Sequence, residues 1–310
     1  MNLRDLKYLV SLVEHEHFGR AADACCVSQP TLSMQIKKLE ETLGVQLIER
    51  KNRSFILTEV GQEIAKKAGE ILYHVDVMKD LAKQSKDPYQ GELKVGVIPT
   101  LAPYLLPYLV SGLSRCFPNL KIYWVEKQTA LLLEELHQGK IDAAFLALPQ
   151  AEFGLLTQPL FEEEFLLAVP PSHALGQRKM VKAEEINQDE LLLLGEGHCL
   201  RDQALSFCQQ VNVSVAKKFE ATSLETLRYM VASKLGVTLM PKLASKIEDG
   251  LHYLSFSGLR PSRTIGLTWR QSSGKQLLLE DLVLKIRGLL TEQAAKTGVK
   301  VLDSGAICIM

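Results

Sequence analysis

The chain has 310 residues, of which 46% are hydrophobic and 23% are charged, as is usual for a globular protein. The 36 Lys and Arg residues balance 36 Asp and Glu residues, so overall charge gives no support for nucleic-acid binding, and such a site must be local. No run approaches 18 apolar residues and the N-terminus lacks the apolar core of a signal peptide, so we expect no membrane span. The length favours two or three domains.

The six cysteines, at positions 25, 26, 116, 199, 208 and 308, do not form a secreted disulfide framework. No Cys-x-x-Cys pair indicates zinc, and we predict neither a metal nor a cofactor. The cytoplasm, where thiols rest reduced, is the expected compartment. Cys25, Cys26 and Cys116 are interpreted as small buried packing residues.

Residues 1–58 predict a small helical DNA-binding domain. Apolar residues at helical spacing predict helices over 3–15 and about 18–25. A third helix begins after the N-cap Ser28, with Pro30 in its first turn. A short helix, a turn and a helix that begins with Gln, Thr and Ser form a helix-turn-helix pattern. The candidate DNA contacts on this helix are Ser28, Gln29, Pro30, Thr31, Ser33, Gln35 and Lys38.

Residues 47–57 predict two short strands around a basic turn. Such a wing would place Arg50, Lys51 and Arg53 on the phosphate backbone of DNA. On spacing alone, a small helical domain with a solvated basic hairpin remains the alternative.

A long helix is predicted over about 58–86. Its apolar residues recur at intervals of four and three, as in a heptad seam. They are Ile64, Ala68, Ile71, Val75, Met78 and Ala82. A seam of this kind can belong to an ordinary amphipathic helix that packs within its own chain. Next to a DNA-binding unit, it favours a linker helix over 59–87 that pairs two chains. We therefore expect a homodimer or homotetramer.

After a break at 87–91, strands and helices alternate, which predicts an α/β regulatory domain over 88–310 with mostly parallel sheets. Strands are predicted at 93–98, 120–125, 141–148, 164–169, 236–241 and 263–269, and helices at 104–117, 131–138, 224–235 and 277–290. The order predicts two subdomains around a cleft, similar to a periplasmic binding protein. Subdomain I is placed at about 92–162 and 267–290, subdomain II at about 163–266, and the tail 291–310 stays unassigned. By themselves, Thr100 and Thr129 are interpreted as helix caps.

The stretch from Gly195 to Cys208 begins as a glycine-bearing loop and continues with helical spacing. Cys199 would lie at a helix N-terminus, where unpaired N–H groups lower a thiol pKa, with His198 and Arg201 as further cations. In one helix, Cys199 and Cys208 would be about 13 Å apart on opposite faces, so a disulfide requires the helix to melt. The alternative is two buried structural thiols.

Two sets of motifs carry a resemblance. The first lies at 18–22, 27–36, 39–45 and 49–50, and these residues resemble the winged helix-turn-helix of LysR-type transcriptional regulators. The second set lies at 98–100, 103–107, 128–129, 197–208 and 221–228. It resembles the peroxide-sensing branch of that family, the OxyR regulators, and the likeness extends to about residue 290.

The resemblance implies that Cys199 is the peroxidatic cysteine and Cys208 the resolving one. It places peroxide among Thr100, Thr129, His198 and Cys199, with Arg270 nearby, and Asp202 is a further candidate beside the pocket. The implied protein is an activator of antioxidant genes, with promoter DNA, RNA polymerase, hydrogen peroxide and a thiol reductant as partners. Two alternatives are a LysR-type regulator that binds a small metabolite in the same cleft and, from another class, a thiol peroxidase.

Overall fold

The computed structural model describes residues 1–51, 54–84, 87–150, 152–186, 191–210, 220–246 and 249–302. The chain divides into two compact units, of which one comprises Met1–Lys86 with His137–Lys140 and the other the remainder. Within the described ranges, no helix has the length and apolar composition needed to cross a membrane. Cys308 and Arg53 lie outside the described residues, as do the side chains of Arg50 and Lys51.

The first unit is a winged helix-turn-helix followed by a long helix. Its helices are α1 (Leu3–His15), α2 (Phe18–Ala24), α3 (Gln29–Leu43) and α4 (Glu59–Gln84), and its strands are β1 (Ile48–Lys51) and β2 (Ser54–Leu57). The two strands pair antiparallel, which confirms the backbone of the predicted wing. The core consists of fully buried apolar side chains from α1 and α3, among them Leu9, Leu12, Leu32 and Ile36.

Local capping fixes both ends of α3. The Ser28 hydroxyl accepts a hydrogen bond from the Thr31 N–H at 3.3 Å, and Gly44 ends the helix in the left-handed region at φ +71°.

The doubled cysteine lies just before this helix. The interpretation of Cys26 as a buried packing residue is wrong, because its thiol side chain is exposed, and Cys116 is exposed as well.

Helix α4 uses its apolar residues in two ways. Ala65 and Ala68 are buried in the first unit, where α4 packs against α1. Further along, Ile71 is 43% exposed and Met78 is 69% exposed, although both belong to the predicted seam. These two side chains are seven residues apart and therefore share one helix face. Both side chains are thus open to solvent within the described part of the single chain.

The second unit contains the remaining described helices and strands. Its helices are α5 (Ala102–Cys116), α6 (Thr129–His137), α7 (Cys199–Gln210), α8 (Leu224–Ala232), α9 (Gln276–Glu292) and α10 (Ala294–Thr297). Its strands are β3 (Gly91–Val97), β4 (Leu120–Glu126), β5 (Ala143–Leu148), β6 (Leu155–Val169), β7 (Met180–Val181), β8 (Leu193–Leu194), β9 (Glu220–Ala221), β10 (Thr238–Pro241), β11 (His252–Phe256), β12 (Ser262–Arg270) and β13 (Lys300–Val301).

Nine of the described strands of this unit form a large mixed sheet in the order β4-β3-β5-β12-β6-β11-β7, with β10 and β13 also paired to β6, whereas β8 and β9 pair with each other. The pairs β3–β4 and β3–β5 are parallel, as expected for strands joined through helices. The expectation of a mostly parallel sheet is nevertheless wrong. Strand β12 pairs antiparallel with both β5 and β6, because the chain returns to this sheet late and from the opposite direction.

Strand β6 connects two parts of the sheet. Its residues 155–164 pair with β12, and its residues 165–169 pair with β10 and β11. The sequence predicted only 164–169 as strand, so the first nine residues of β6 were missed. Beyond α9, β13 pairs with β6 at Glu162 and Phe161, so part of the unassigned tail belongs to this sheet. The limits of the two subdomains stay a prediction.

Candidate functional site

The loop before α7 brings Cys199 to the N-terminal end of α6. Strand β8 pairs parallel with β9, and the Gly195 N–H donates to the Ala221 carbonyl at 2.8 Å. Gly197 then adopts φ +86°, and a Cβ at this position would lie 2.7 Å from Oε1 of Gln128. Any larger residue would therefore both strain the backbone and displace Gln128. The glycine allows residues 198 and 199 to approach the start of α6.

Cys199 is partly buried at the first position of α7, between α6 and β12. Burial raises the pKa of its thiol, and the carboxylate of Asp202 raises it further. The Arg263 guanidinium, the Thr129 hydroxyl and the Leu200 backbone N–H act in the opposite direction and favour the thiolate. The net pKa lies above the ordinary value of 9.0, so the prediction of a lowered pKa is wrong. Loss of hydration outweighs the helix N-terminus here.

The Thr129 hydroxyl is buried and close enough to Cys199 to lower the pKa of the thiol. It makes no hydrogen bond of normal geometry to the described residues. Thr129 is therefore not the helix cap that it was interpreted as, since a capping hydroxyl accepts a backbone N–H. Its hydroxyl interacts with the Cys199 thiol and not with a backbone N–H of the helix.

Thr100 is held by an arginine that the sequence did not single out. Arg263 donates from Nη1 to the Thr100 hydroxyl at 3.0 Å and from Nη2 to the Thr100 carbonyl at 3.1 Å. Its Nε donates to Oε2 of Glu163 at 2.7 Å, and neither side chain of this ion pair is exposed. Thr100 does not cap α5 either, because Leu101 occupies the cap position without a side-chain bond. Arg263 thus contacts Thr100 directly and also acts electrostatically on the Cys199 thiol.

The assignment of Arg270 to the peroxide pocket is wrong. This arginine lies at the opposite end of β12, about 23 Å along the strand from Arg263. It is buried, and its Nη1 donates to the carbonyls of Leu136 and Ile141, the latter at 2.6 Å. Arg270 therefore holds the C-terminal end of α6, whereas Thr129 lies at the N-terminal end.

The two predicted cations next to Cys199 have other roles. His198 is 7% exposed, and burial lowers the pKa of its imidazole, so the ring is neutral at neutral pH. Its Nε2 lies 3.4 Å from Nε2 of Gln128. Arg201 is buried and donates from Nη1 to the Leu194 carbonyl at 2.7 Å. The positive charge that acts on the thiol comes from Arg263 instead.

Cys208 is buried near the end of α7, away from Cys199. It is 2% exposed, and burial raises the pKa of its thiol to about 11. The neighbouring Phe207 packs edge-on against Phe256, with ring centroids 5.2 Å apart. The helix between the two cysteines is continuous, as the sequence predicts, so this arrangement holds both thiols as separate reduced groups.

A cleft of about 550 Å³ opens beside Cys199. Its walls come from α7, from the end of β5 with the segment after it, and from the segment before β12, including Asp202, Gln150 and Arg260. Asp202 is exposed, as expected for a carboxylate beside the pocket. The cleft is far larger than a peroxide molecule and connects the buried thiol with solvent.

In the first unit, α3 presents the predicted reading face to solvent. Ser28, Gln29, Pro30 and Lys38 are exposed, and Thr31, Ser33 and Gln35 are half-buried. The apolar residues Leu32, Ile36 and Leu39 point into the core. The polar side chains are thus available for contact with a DNA groove while the helix stays anchored.

Comparison with protein families gives two matches that together cover most of the chain. Residues 3–62 match the family described as "Bacterial regulatory helix-turn-helix protein, lysR family", and residues 86–288 match "LysR substrate binding domain". A relative from Escherichia coli K12, "DNA-binding transcriptional dual regulator OxyR", is 46% identical over 93% of this chain and 95% of its own length. The chain belongs to the OxyR branch of the LysR family.

Other OxyR-branch relatives agree. The "Hydrogen peroxide-inducible genes activator" of Dickeya chrysanthemi is 45% identical over 93% of this chain and 95% of the relative. A full-length OxyR variant from Pseudomonas aeruginosa matches with a TM-score of 0.78 and 40% identity, covering 93% of this chain and 95% of that one. A hydrogen-peroxide-bound OxyR mutant from Corynebacterium glutamicum matches with a TM-score of 0.65 and 34% identity, over 99% and 98% of the two chains.

Proposed function

We propose that this chain is a hydrogen-peroxide-sensing transcriptional regulator that is switched by oxidation of Cys199 and activates antioxidant genes. The observation that supports this most is that the Thr129 hydroxyl and the Arg263 guanidinium, which also holds Thr100, both act on the partly buried Cys199 thiol and favour its thiolate. Relatives that are named as peroxide-inducible activators, and a similar structure with peroxide bound, support the same function. A thiol peroxidase finds no support among these regulators.

The first chemical step is attack of the Cys199 thiolate on one oxygen of hydrogen peroxide. The S–O bond forms as the O–O bond breaks, which gives a sulfenic acid and hydroxide, and the hydroxide takes up a proton to become water. Charge shifts to the departing oxygen in this step, so donors aimed at it lower the barrier. In this proposal Thr100, Thr129 and Arg263 supply those donors, with neutral His198 as a further contact.

The second step joins the two cysteines. The Cys208 thiol attacks the sulfenic sulfur, the disulfide forms, and the hydroxyl leaves as water with the thiol proton. Because both residues lie on α7, this step requires the helix between them to unfold. Local oxidation is thereby converted into a rearrangement of the regulatory unit. A thiol reductant returns the disulfide to two thiols.

The output is a changed fit on promoter DNA. Helix α3 and the wing, with Arg50, Lys51 and Arg53, contact the DNA, and the exposed face of α4 pairs two chains into a homodimer or homotetramer. Rearrangement of the regulatory units shifts the two reading helices relative to each other and changes the contact with RNA polymerase. The protein works in the cytoplasm, where its thiols rest reduced.

The function is tested by mapping which cysteines react with a small molar excess of hydrogen peroxide. Thiol labelling and peptide mass spectrometry should show a fast Cys199–Cys208 disulfide that is lost in Cys199→Ser, with a parallel loss of the peroxide-dependent change in promoter footprint. Equal and slow oxidation of all six cysteines would contradict the proposal.

The cleft of about 550 Å³ favours one second candidate, a regulator that binds a small metabolite beside Cys199. The test is a thermal shift with the Cys199→Ser, Cys208→Ser double variant, in which peroxide sensing is absent. A metabolite that raises its melting temperature and changes its DNA footprint would favour this candidate.

A further inference from the structure

The buried carboxylate of Glu163 is the one acidic group that the described structure places in direct contact with Arg263. Its side chain is fully buried, whereas its neighbours Glu162 and Glu164 point to the other face of β6 and are partly exposed. A charge in such a position is costly unless every hydrogen-bonding site is used. Glu163 therefore has a role that its two neighbours do not share.

Both oxygens of Glu163 have partners, and the partners come from different elements. Oε2 accepts from Nε of Arg263 at 2.7 Å, and Oε1 accepts from the Leu243 N–H at 2.8 Å. Leu243 lies in the short turn after β10, so its N–H is a fixed backbone donor. The carboxylate is thus anchored to the main chain on one side and holds the arginine on the other.

The Nε contact fixes the direction in which the rest of the guanidinium points. The group is planar and rigid, so once Nε is bound to Glu163, the directions of the terminal N–H groups are set within that plane. There they donate to the hydroxyl and the carbonyl of Thr100, at 3.0 and 3.1 Å. The ring of Phe165 lies 5.9 Å from the guanidinium carbon and limits its movement further.

We propose that Glu163 is a positioning residue of the peroxide site, which aims the Arg263 guanidinium at Thr100 and beside Cys199. This role rests on the proposed function, since it concerns the oxidation of Cys199. The carboxylate of Glu163 contacts the Arg263 side chain and the Leu243 N–H. It affects the site only through Arg263. Because it is also bound to Leu243, the orientation of the Arg263 guanidinium depends on the position of the turn after β10.

A positioning role of Glu163 can be distinguished from an effect of its charge on the Cys199 thiol. Arg263 on β12 favours the thiolate electrostatically, Asp202 on α7 opposes it, and the neighbouring His198 is neutral. Removing the negative charge of Glu163 leaves the positive charge of Arg263 less compensated, which by itself favours the thiolate. Misdirecting Arg263 and Thr100 instead removes donors that the peroxide reaction requires.

The experiment compares two reactions of Cys199 in the full chain with Cys208→Ser, so that only the first oxidation is observed. The parent and the Glu163→Gln variant are treated with hydrogen peroxide and, separately, with iodoacetamide, whose reaction needs only the thiolate. We expect the peroxide rate constant to fall about tenfold or more in Glu163→Gln, with the iodoacetamide rate changed less than about threefold. Glu162→Gln and Glu164→Gln are matched controls on the same strand and should leave both rates unchanged.

Two results would overturn the proposal. One is a peroxide rate of Glu163→Gln within twofold of the parent, and the other is an equal fall of both rates. A parent whose Cys199 does not react at all would overturn the proposed function and this role with it. An equally reactive parent and Glu163→Gln variant would overturn this role alone.

A double variant keeps the test decisive if Glu163→Gln does not fold. Neutralising both partners of a buried ion pair is tolerated better than removing one. If Glu163 acts only through Arg263, the Glu163→Gln, Arg263→Gln double variant should oxidise as slowly as Arg263→Gln alone. A double variant slower by a further tenfold, or as fast as the parent, would contradict the positioning role.

Discussion

Cys199 and Cys208 lie nine residues apart on the same continuous helix, at a Cα separation of about 13 Å. A disulfide needs a separation of roughly 4.4–6.8 Å, so its formation depends on how easily α7 opens.

Ser206 lies between the two cysteines and is exposed, which makes it a suitable position for changing helix stability. Ser206→Gly should speed disulfide formation about fivefold relative to Ser206→Ala, because the two differ by about 1 kcal/mol in helix propensity. Rapid quenching with mass spectrometry resolves this step, and formation of the sulfenic acid should differ less than twofold between the variants.

The reactivity of Cys199 should increase with pH well above neutrality. Because its pKa is raised above 9.0, mainly by burial, the thiol is mostly protonated at pH 7 and the thiolate grows as the pH approaches and passes 9. In Cys208→Ser, the iodoacetamide rate should therefore keep rising through pH 9. A plateau reached below pH 8 would contradict the raised pKa. In Arg263→Gln the profile should move to still higher pH, since this cation favours the thiolate.

Arg270 should matter for stability and not for peroxide sensing. Its guanidinium is buried against the Leu136 and Ile141 carbonyls, at the end of α6 remote from Thr129. Arg270→Gln should lower the free energy of unfolding by about 3 kcal/mol, because buried charge-assisted hydrogen bonds are lost. Denaturant unfolding measures this change. The peroxide rate constant of the folded variant should stay within twofold of the parent. A tenfold lower rate constant would instead indicate that Arg270 takes part in the peroxide site.

Self-association should depend on the exposed apolar face of α4. Met78→Glu places a charge on a side chain that is 69% exposed, so folding of the single chain should be little affected. Burying that charge between two helices is costly, and the dimer dissociation constant should rise at least tenfold. Sedimentation equilibrium gives the constant directly. Lys66→Glu, an exposed change on another face of α4, is the control, and equal behaviour of the two variants would argue against pairing through Met78.

Lys38 should contribute to DNA affinity through the phosphate backbone. It is exposed on α3, next to Lys37, which is also exposed but lies 3.9 Å from Glu41. Lys38→Ala should weaken promoter binding several-fold at all sequences and lower the slope of log affinity against log salt by about 1. Titrations at several salt concentrations provide both numbers. Lys37→Ala should leave the slope unchanged.

Most helices of the fold follow closely from local patterns, whereas several short strands and the chemistry of the site depend on tertiary packing. Helix α1 begins and ends where its apolar spacing predicts, and Ser28 and Gly44 fix α3. Strand β6 was only partly predicted, because the reason for burying Glu163 is an arginine a hundred residues away. No local pattern contains that contact.

The roles of the two β12 arginines and the pKa of the Cys199 thiol also could not be predicted from local sequence patterns. Arg263 and Arg270 lie at the two ends of one strand, and the sequence does not say which end meets α7. The sequence correctly predicted Cys199 at a helix N-terminus. The pKa of its thiol, however, is determined mainly by burial among other elements. The signal that would have found Arg263 is the pairing of a charged residue on β12 with the glutamate run of β6.

The short strand β13 has a practical consequence. It covers part of the edge of β6 at Phe161 and Glu162, directly beside the buried Glu163. The family match ends at residue 288, so truncation at that point would leave this edge uncovered. Uncovered strand edges recruit other chains and promote aggregation. Protein engineers who shorten the chain should therefore keep it through residue 302, and affinity tags belong after that position.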